Sequence, residues 1–139
     1  MAVVTKRLKF KTKANGSMFD LTPLIKEELN SIKLTSGIVN LFCIGSTSSI
    51  STIEFEPGLQ KDMPKIMEKI APKDGKYDHE NTWHDDNGHS HIRATLMGPS
   101  LTVPFVDKKL TLGTWQQVAF FEWDTSDRSR EVICQFIGE

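Results

Sequence analysis

Four histidines, the only ones in the 139-residue chain, fall within one short polar segment, HENTWHDDNGHSH, residues 79–91. A neutral imidazole binds zinc and other borderline metals, and three such ligands beside an open position are typical of catalytic sites. His84, His89 and His91 are the best trio, because an extended backbone points residues two apart to one side and Gly88 lets the loop bend. We therefore predict a divalent metal such as zinc, held by three imidazoles that also serve as catalytic groups.

Two carboxylates in this segment, Asp85 and Asp86, are candidates for a fourth ligand or for the partner that orients a histidine. Between Asp74 and His91 there are five acidic residues against one basic residue, so the local field attracts a cation. The alternative is a solvated polar loop whose histidines only titrate, because this histidine spacing is not unique to zinc sites.

A hydroxyl-rich turn, GSTSSIST at residues 45–52, follows an apolar run. Backbone N–H groups and hydroxyls of Ser46, Thr47 and Ser48 suit the binding of a phosphate, although the segment has no lysine and is not a Walker motif. The alternative is that these are ordinary turn residues.

Two carboxylates lie between apolar neighbours, Glu54 in IEF and Glu122 in FEW. If buried, such a group acquires a raised pKa and serves as a general base, and Glu54 is our catalytic candidate. On an edge strand facing water it is inert, which is the interpretation that we favour for Glu122. Cys43 is interpreted as a small core residue and not as a nucleophile.

Further polar residues are candidates for binding the substrate. Arg93 follows the histidine segment and suits a bidentate contact with phosphate, its alternative being a surface ion pair. Thr114 and Gln116 offer hydrogen bonds, and Trp115 either forms the wall of a pocket for a planar ring or belongs to the core.

The elements that position these residues indicate an α+β fold. Alternation predicts a strand over 2–11, and Asn15-Gly16 predicts a hairpin with a returning strand at 17–20. Helical spacing predicts helices near 22–33, begun by Thr22, and 59–70, with Pro64 in the first turn, and a short helix at 92–97 begun by Asn87. The remaining predicted strands cover 37–45, with both faces buried, and 50–55, 101–106, 115–123 and 132–137. We expect one domain, residues 1–139, with two or three helices and mostly antiparallel, sandwich-like sheet layers.

Composition excludes several classes of protein. Seventeen basic and eighteen acidic residues give a formal charge of −1, so we expect neither nucleic acid nor a membrane as partner. No apolar stretch is long enough for a signal peptide or a membrane span, and Cys43 and Cys134 suit reduced thiols, so we expect a cytoplasmic protein.

Two motifs together, NGHSHIRATLMGPSLTVPF at 87–105 and LGTWQQVAFFEWD at 112–124, resemble the YjbQ family. The resemblance extends to GSTSSISTIEFEPG at 45–58 and to the terminal Gly138-Glu139. It implies sandwiched sheet layers, a homotrimer and, in some members, a thiamine-phosphate synthase activity that is secondary in most of them. That reaction joins a hydroxymethylpyrimidine diphosphate to a thiazole phosphate, releases pyrophosphate and ordinarily uses Mg²⁺.

The resemblance also implies a site made of His89, His91, Ser46, Thr47, Glu54 and residues 113–116. This sequence differs from many relatives in having Gly45 instead of a histidine and Ile53 instead of an asparagine. Of the residues nearby, His84 is the candidate replacement for the missing imidazole.

Three functions follow from these observations. The first is a thiamine-phosphate synthase-like transferase at a histidine-rich metal and phosphate pocket. The second is a non-catalytic trimer that binds a metal or a small phosphorylated metabolite, and the third is a metal-dependent hydrolase.

Overall fold

A computed structural model describes all 139 residues and contains eight strands and four helices, in agreement with the predicted α+β class. The strands are β1 (Ala2–Thr12), β2 (Ser17–Asp20), β3 (Gly37–Cys43), β4 (Ser48–Ile53), β5 (Ser100–Val106), β6 (Lys109–Leu110), β7 (Gln117–Glu122) and β8 (Arg128–Gly138). The helices are α1 (Thr22–Ser31), α2 (Pro57–Ile70), α3 (His79–Trp83) and α4 (Gly88–Met97).

The larger sheet has five antiparallel strands in the order β1-β8-β3-β5-β6. Its longest pairing joins β1 and β8, in register from Ala2↔Gly138 to Thr12↔Arg128. The predicted alternation of β1 is confirmed, since Leu8 is buried and Lys9 is exposed. A period of two therefore gives this sheet one apolar face and one solvent face.

The smaller sheet, in the order β2-β7-β4, lies between two apolar layers. Val118 and Phe120 of β7 belong to the main core, which includes residues of the larger sheet and of α1. Phe121 and Trp123 belong to a second cluster that includes Met67 of α2 and Ala94 of α4. Helices α2 and α4 thus cover the face of this sheet that points away from the larger one.

The predicted hairpin at Asn15-Gly16 is wrong in its pairing, although the turn itself forms. Asn15 and Gly16 have φ of +62° and +89°, as a tight turn requires. The strands on its two sides diverge, however, because β1 pairs with β8 whereas β2 pairs with β7. The turn therefore carries the chain from one sheet to the other.

Three local predictions need correction. The residue at the N-cap of α1 is Leu21, and the Thr22 hydroxyl instead accepts the Val118 N–H at 2.8 Å. Pro64 lies well inside α2, beyond its first turn. Helix α3 was missed, because its five residues are too few to show an apolar period.

The strand β3 differs from prediction in one respect. Its inner face is buried, but Ile38 and Phe42 on the outer face are 39% and 45% exposed. The single chain therefore leaves the outer face of the larger sheet uncovered. None of the helices has the length and apolar character needed to cross a membrane.

Candidate functional site

Helix α4 separates two of the three predicted metal ligands. It begins after Asn87, as predicted, so His89 and His91 lie on a helix and not on extended chain. Residues two apart on a helix point about 200° apart. His89 accordingly turns inward and is 1% exposed, whereas the His91 side chain is half-buried at the surface. Burial holds the pKa of His89 below its usual range, which favours the neutral imidazole.

The third predicted ligand, His84, lies apart from both. It ends α3 in the left-handed conformation, with φ of +56°, and is exposed. No group of three or more His, Cys, Asp or Glu side chains has an arrangement suited to a metal. The donor set predicted for zinc or magnesium does not fit such an ion within one chain, because α4 turns its two imidazoles to opposite faces.

The structure instead pairs His91 with His79, which the sequence analysis left out of the trio. Their ring centroids are 4.7 Å apart, and His79 Nε2 lies 3.0 Å from Asp85 Oδ1. With its amide nitrogen facing that carboxylate, Asn87 donates to Asp85 Oδ1 at 2.8 Å. Asp85 thus orients a histidine, one of the two roles considered for it. This pair has only a weak signature in the sequence, because α3 and the turn after it are needed to bring His79 back to α4.

The hydroxyl-rich turn lies against His91. His91 Nδ1 is 3.1 Å from the Ser46 carbonyl oxygen, so Nδ1–H donates to that carbonyl. This bond leaves the other ring nitrogen, Nε2, free to accept or donate a proton. The N–H groups of Gly45, Ser46 and Thr47 donate to no acceptor in the chain. Three consecutive backbone donors of the turn therefore have no partner within the chain.

Ser48, at the end of this turn, carries a buried hydroxyl without a hydrogen-bond partner. The residue is 2% exposed, and its Oγ is fully buried. The thiol of Cys43, a weak hydrogen-bonding group, lies close enough to Ser48 for the hydroxyl to influence the pKa of Cys43. Burial raises the pKa of Cys43 to about 12, so this thiol is a core residue as predicted and not a nucleophile. A buried unsatisfied hydroxyl is rare in native proteins and points to an absent partner.

Two clefts meet at His91. The smaller, about 270 Å³, is lined by Gly45, Ser46, Ser48, His91 and Thr95, among others. The larger, about 440 Å³, is lined by His91 together with Lys76, Tyr77, His79 and Ile92, among others. A molecule in either cleft reaches the imidazole of His91.

A buried ion pair lies behind the turn. Glu122, which we interpreted as inert on a water-facing edge, is fully buried and accepts from Arg130 at 2.6 and 2.7 Å. Thr12 donates its hydroxyl to the same carboxylate at 2.6 Å. Arg130 Nη2 also donates to Thr47 Oγ1 at 2.8 Å. The hydroxyl of Thr47, which we predicted to bind phosphate, is therefore already hydrogen-bonded within the protein.

A second carboxylate completes this buried network. Asp124 accepts from the Thr47 hydroxyl at 3.2 Å and from Arg128 Nη2 at 2.7 Å. Burial alone raises the pKa of Asp124, but hydrogen bonds from the Thr125 N–H and from Arg128 outweigh it and hold that pKa below its usual range. The carboxylate is therefore ionised at neutral pH.

Arg93 is placed away from the clefts, contrary to its predicted role in phosphate binding. Its Nε donates to the Ala71 carbonyl at 3.0 Å and its Nη2 to Glu68 at 2.7 Å. The guanidinium also lies 5.6 Å from the ring centroid of Trp123. Arg93 thus joins α4 to α2 as a buried structural residue. Of the two roles considered for it, phosphate binding and an ion pair, the structure shows the ion pair, with Glu68.

The other predicted site residues lie at the far end of β4 from the turn. Glu54 follows the last residue of β4 and is exposed. Gln116 donates to Thr52 at 3.1 Å, and its own carbonyl accepts the Gly113 N–H. Thr114 is exposed, and Trp115 is 73% exposed, so this ring is neither core nor the wall of a closed pocket. Within one chain these residues do not join the histidines.

Comparison with known proteins gives the same assignment over nearly the whole chain. The family model described as "UPF0047 protein YjbQ-like" matches residues 6–139. The chain belongs to the YjbQ/UPF0047 family. Among its relatives, a UPF0047 protein of Methanothermobacter thermautotrophicus is 35% identical over 139 residues, which cover 100% of this chain and 95% of that protein. The UPF0047 protein YugU of Bacillus subtilis is 30% identical over 96% of this chain and 98% of its own length.

Solved structures support the fold. A YjbQ/UPF0047 family protein from Clostridium acetobutylicum has a TM-score of 0.86 and 32% identity, over 95% of this chain and 99% of its own. A hypothetical protein from Aeropyrum pernix has a TM-score of 0.86 and 28% identity, over 96% of this chain and 99% of its own. The resemblance noted from the sequence motifs is thereby confirmed.

Proposed function

We propose that this protein binds a phosphorylated small molecule in the cleft between the turn at residues 45–48 and α4. The observation that carries the proposal is Ser48, one of the residues that line this cleft, whose buried hydroxyl has no hydrogen-bond partner. The free N–H groups of Gly45, Ser46 and Thr47 lie in the same turn. Backbone N–H groups and hydroxyls donate hydrogen bonds to phosphate oxygens, so a bound phosphate would supply the acceptors that are missing in this turn.

The chemistry at the bound phosphate is assigned to His91. Its Nδ1–H bond to the Ser46 carbonyl fixes the ring, so Nε2 is the nitrogen that exchanges a proton with a ligand. When a phosphate or pyrophosphate leaves, protonated Nε2 donates to the departing oxygen. The amides of the turn stabilise the negative charge that develops there.

The reaction that we propose is the thiamine-phosphate synthase-like transfer implied by the family resemblance. It needs a place for a diphosphate and a place for a ring-bearing partner, with the reacting atoms between them. The two clefts that meet at His91 support such an arrangement. Non-catalytic binding of a phosphorylated metabolite is the alternative that the same cleft allows.

The predicted zinc or magnesium stays a prediction from the sequence. When bound beside a diphosphate, such a metal neutralises its charge. Because one chain does not gather His84, His89 and His91, no step above depends on the metal. The metal-dependent hydrolase loses its structural basis for the same reason.

We also propose that the protein is a homotrimer, as the family resemblance implies. The uncovered outer face of the larger sheet supports association with further copies, since Ile38, Phe42 and Val106 are exposed there. Light scattering after size exclusion tests this: a mass of three chains agrees with the proposal, and a monomer at micromolar concentration contradicts it.

Calorimetric titration with pyrophosphate tests the binding proposal. The wild-type protein is expected to bind, and Ser48→Ala to bind about tenfold more weakly, because one hydrogen bond to a charged group is lost. Ser100→Ala, an exposed serine on β5, is the matched control and should not change the affinity. Equal affinities of Ser48→Ala and wild type would contradict the assigned cleft.

A synthesis assay with the pyrimidine diphosphate and the thiazole phosphate tests the reaction. Turnover is expected in wild type and about a hundredfold less in His91→Ala, the usual contribution of a general acid. Binding of pyrophosphate without any turnover would select the non-catalytic alternative.

A further inference from the structure

Arg130 is the one arginine that contacts the proposed phosphate turn from the protein interior. Its side chain is 10% exposed, and two of its nitrogens bind Glu122, whose side chain is fully buried. A bidentate pair of this kind fixes the plane of the guanidinium as well as its position. Glu122 therefore determines where the other N–H groups of the guanidinium point.

Two atoms of this fixed guanidinium meet the turn. Nη2 donates to the Thr47 hydroxyl at 2.8 Å, and Thr47 in turn donates to Asp124. Nη1 has no hydrogen-bond partner and lies against Gly45, where an added Cβ would be only 2.9 Å from it. The guanidinium thus holds the turn by a hydrogen bond at Thr47 and fills the space beside Gly45.

Gly45 is required here for two reasons. Its φ of +131° is a conformation that side chains rarely adopt, and Nη1 occupies the space that a side chain needs. The space beside residue 45 is occupied by the guanidinium of Arg130. A side chain at residue 45 would displace either the guanidinium or the turn.

We propose that Arg130 is a positioning residue that holds residues 45–47 in the conformation with free N–H groups. This inference rests on the proposed phosphate-binding function. It assigns to that site a residue, Arg130, that acts without touching the ligand. Arg130 acts through Thr47 and Gly45, and Glu122 holds Arg130 in place. Lysine cannot replace it, because a single ammonium lacks the fork that reaches Glu122 and Thr47 together.

Two substitutions disturb the same contact from opposite sides. Arg130→Lys removes Nη1 and Nη2, and Gly45→Ala pushes a methyl group against Nη1. Each is expected to weaken pyrophosphate binding about tenfold. The double variant is expected to lose less affinity than the sum of the two separate losses, because lysine has no Nη1 for the alanine to displace and only the backbone strain at residue 45 remains. Arg7→Lys, in an exposed pair with Glu131, is the control and should bind as wild type does.

Amide chemical shifts of the free protein supply a readout that does not depend on phosphate. Arg130→Lys and Gly45→Ala should both move the N–H signals of residues 45–47. If wild type binds no pyrophosphate, the proposed function fails, and these shifts still decide the role of Arg130. Unchanged signals of residues 45–47 in Arg130→Lys, or full additivity of the two losses in affinity, would overturn the proposal. If Arg130→Lys does not fold, Thr47→Val takes its place, because it keeps the Glu122–Arg130 pair and removes the hydroxyl that binds Nη2. It should move the Gly45 N–H signal, and an unchanged Gly45 signal would then overturn the proposal.

Discussion

Two polar regions meet at the turn of residues 45–48, and they are built differently. The network of Glu122, Arg130, Thr47 and Asp124 is mostly buried, and its charged groups are paired. The pair His79 and His91 is half-buried and leaves a ring nitrogen of His91 free beside two clefts. A network whose charges are satisfied stabilises and positions, whereas a half-satisfied, accessible group can take part in chemistry.

Substitutions in the two regions should change the free energy of unfolding by different amounts. Loss of one member of the buried network leaves a charge without its partner in the protein interior, which is strongly destabilising. Replacement of His91 removes a ring that is already in contact with water. Stability and ligand binding should therefore respond to different residues.

The largest expected effect on stability is that of Glu122→Ala. It should lower the free energy of unfolding by about 3–5 kcal/mol, because Arg130 then remains buried and unpaired. Urea denaturation monitored by fluorescence measures this loss. The double variant Glu122→Leu with Arg130→Met should be more stable than Glu122→Ala, since no charge is left alone. A loss below about 1 kcal/mol in Glu122→Ala would show that the pair is not desolvated.

Arg93→Ala is expected to lower the free energy of unfolding by about 2 kcal/mol and to leave pyrophosphate affinity unchanged. The buried guanidinium bonds the Ala71 carbonyl and packs on Trp123, so both a hydrogen bond and packing are lost. Denaturation and calorimetry on one preparation separate the two effects. A loss of affinity with unchanged stability would restore the phosphate contact predicted from the sequence.

Acid should weaken the buried network through Asp124. Its pKa is lowered in the folded protein, so the stabilisation is complete above the ordinary pKa of 3.8 and is lost as the pH falls through the folded value. Arg128→Gln removes one cause of the lowered pKa and should reduce this pH dependence. Denaturation curves between about pH 2 and pH 5 measure it, because the loss lies around and below the ordinary pKa. An equally steep loss of stability in Arg128→Gln would assign the acid sensitivity to other carboxylates.

The smallest expected effect on stability belongs to His91→Gln. The change should stay within about 0.5 kcal/mol, as is usual for a surface substitution, while pyrophosphate binding weakens. His84→Gln, an exposed histidine of the same segment, is the control for both measurements. Equal binding by the two variants would remove His91 from the site.

Much of the fold followed from local patterns. The alternation of β1, the apolar spacing of α1 and α2, and the start of α4 at Asn87 were all readable, because each depends on residues close in sequence. The strand pairing on the two sides of the Asn15-Gly16 turn could not be predicted in this way. It depends on residues far away in sequence, because β1 pairs with β8 at the other end of the chain and not with β2.

The site was harder to predict for a related reason. The sequence identified the histidine segment and the hydroxyl turn, which do come together at His91 and Ser46. The three histidines predicted to share one site do not meet, because His89 and His91 lie on opposite sides of α4. The histidine that does lie beside His91 is His79, which α3 brings to it. Arg130 was missed altogether, since nothing near that residue in sequence indicates Gly45 or Thr47 as its neighbours.

The most direct measurement is a titration of the isotopically labelled protein with pyrophosphate, followed through the backbone amide signals. We expect the largest shifts on Gly45, Ser46 and Thr47, whose N–H groups have no acceptor in the chain. We also expect Ser48→Ala to reduce these shifts at equal ligand concentration. Saturable shifts confined to another surface, such as the lysines of β1, or no shifts at all, would contradict the proposed site.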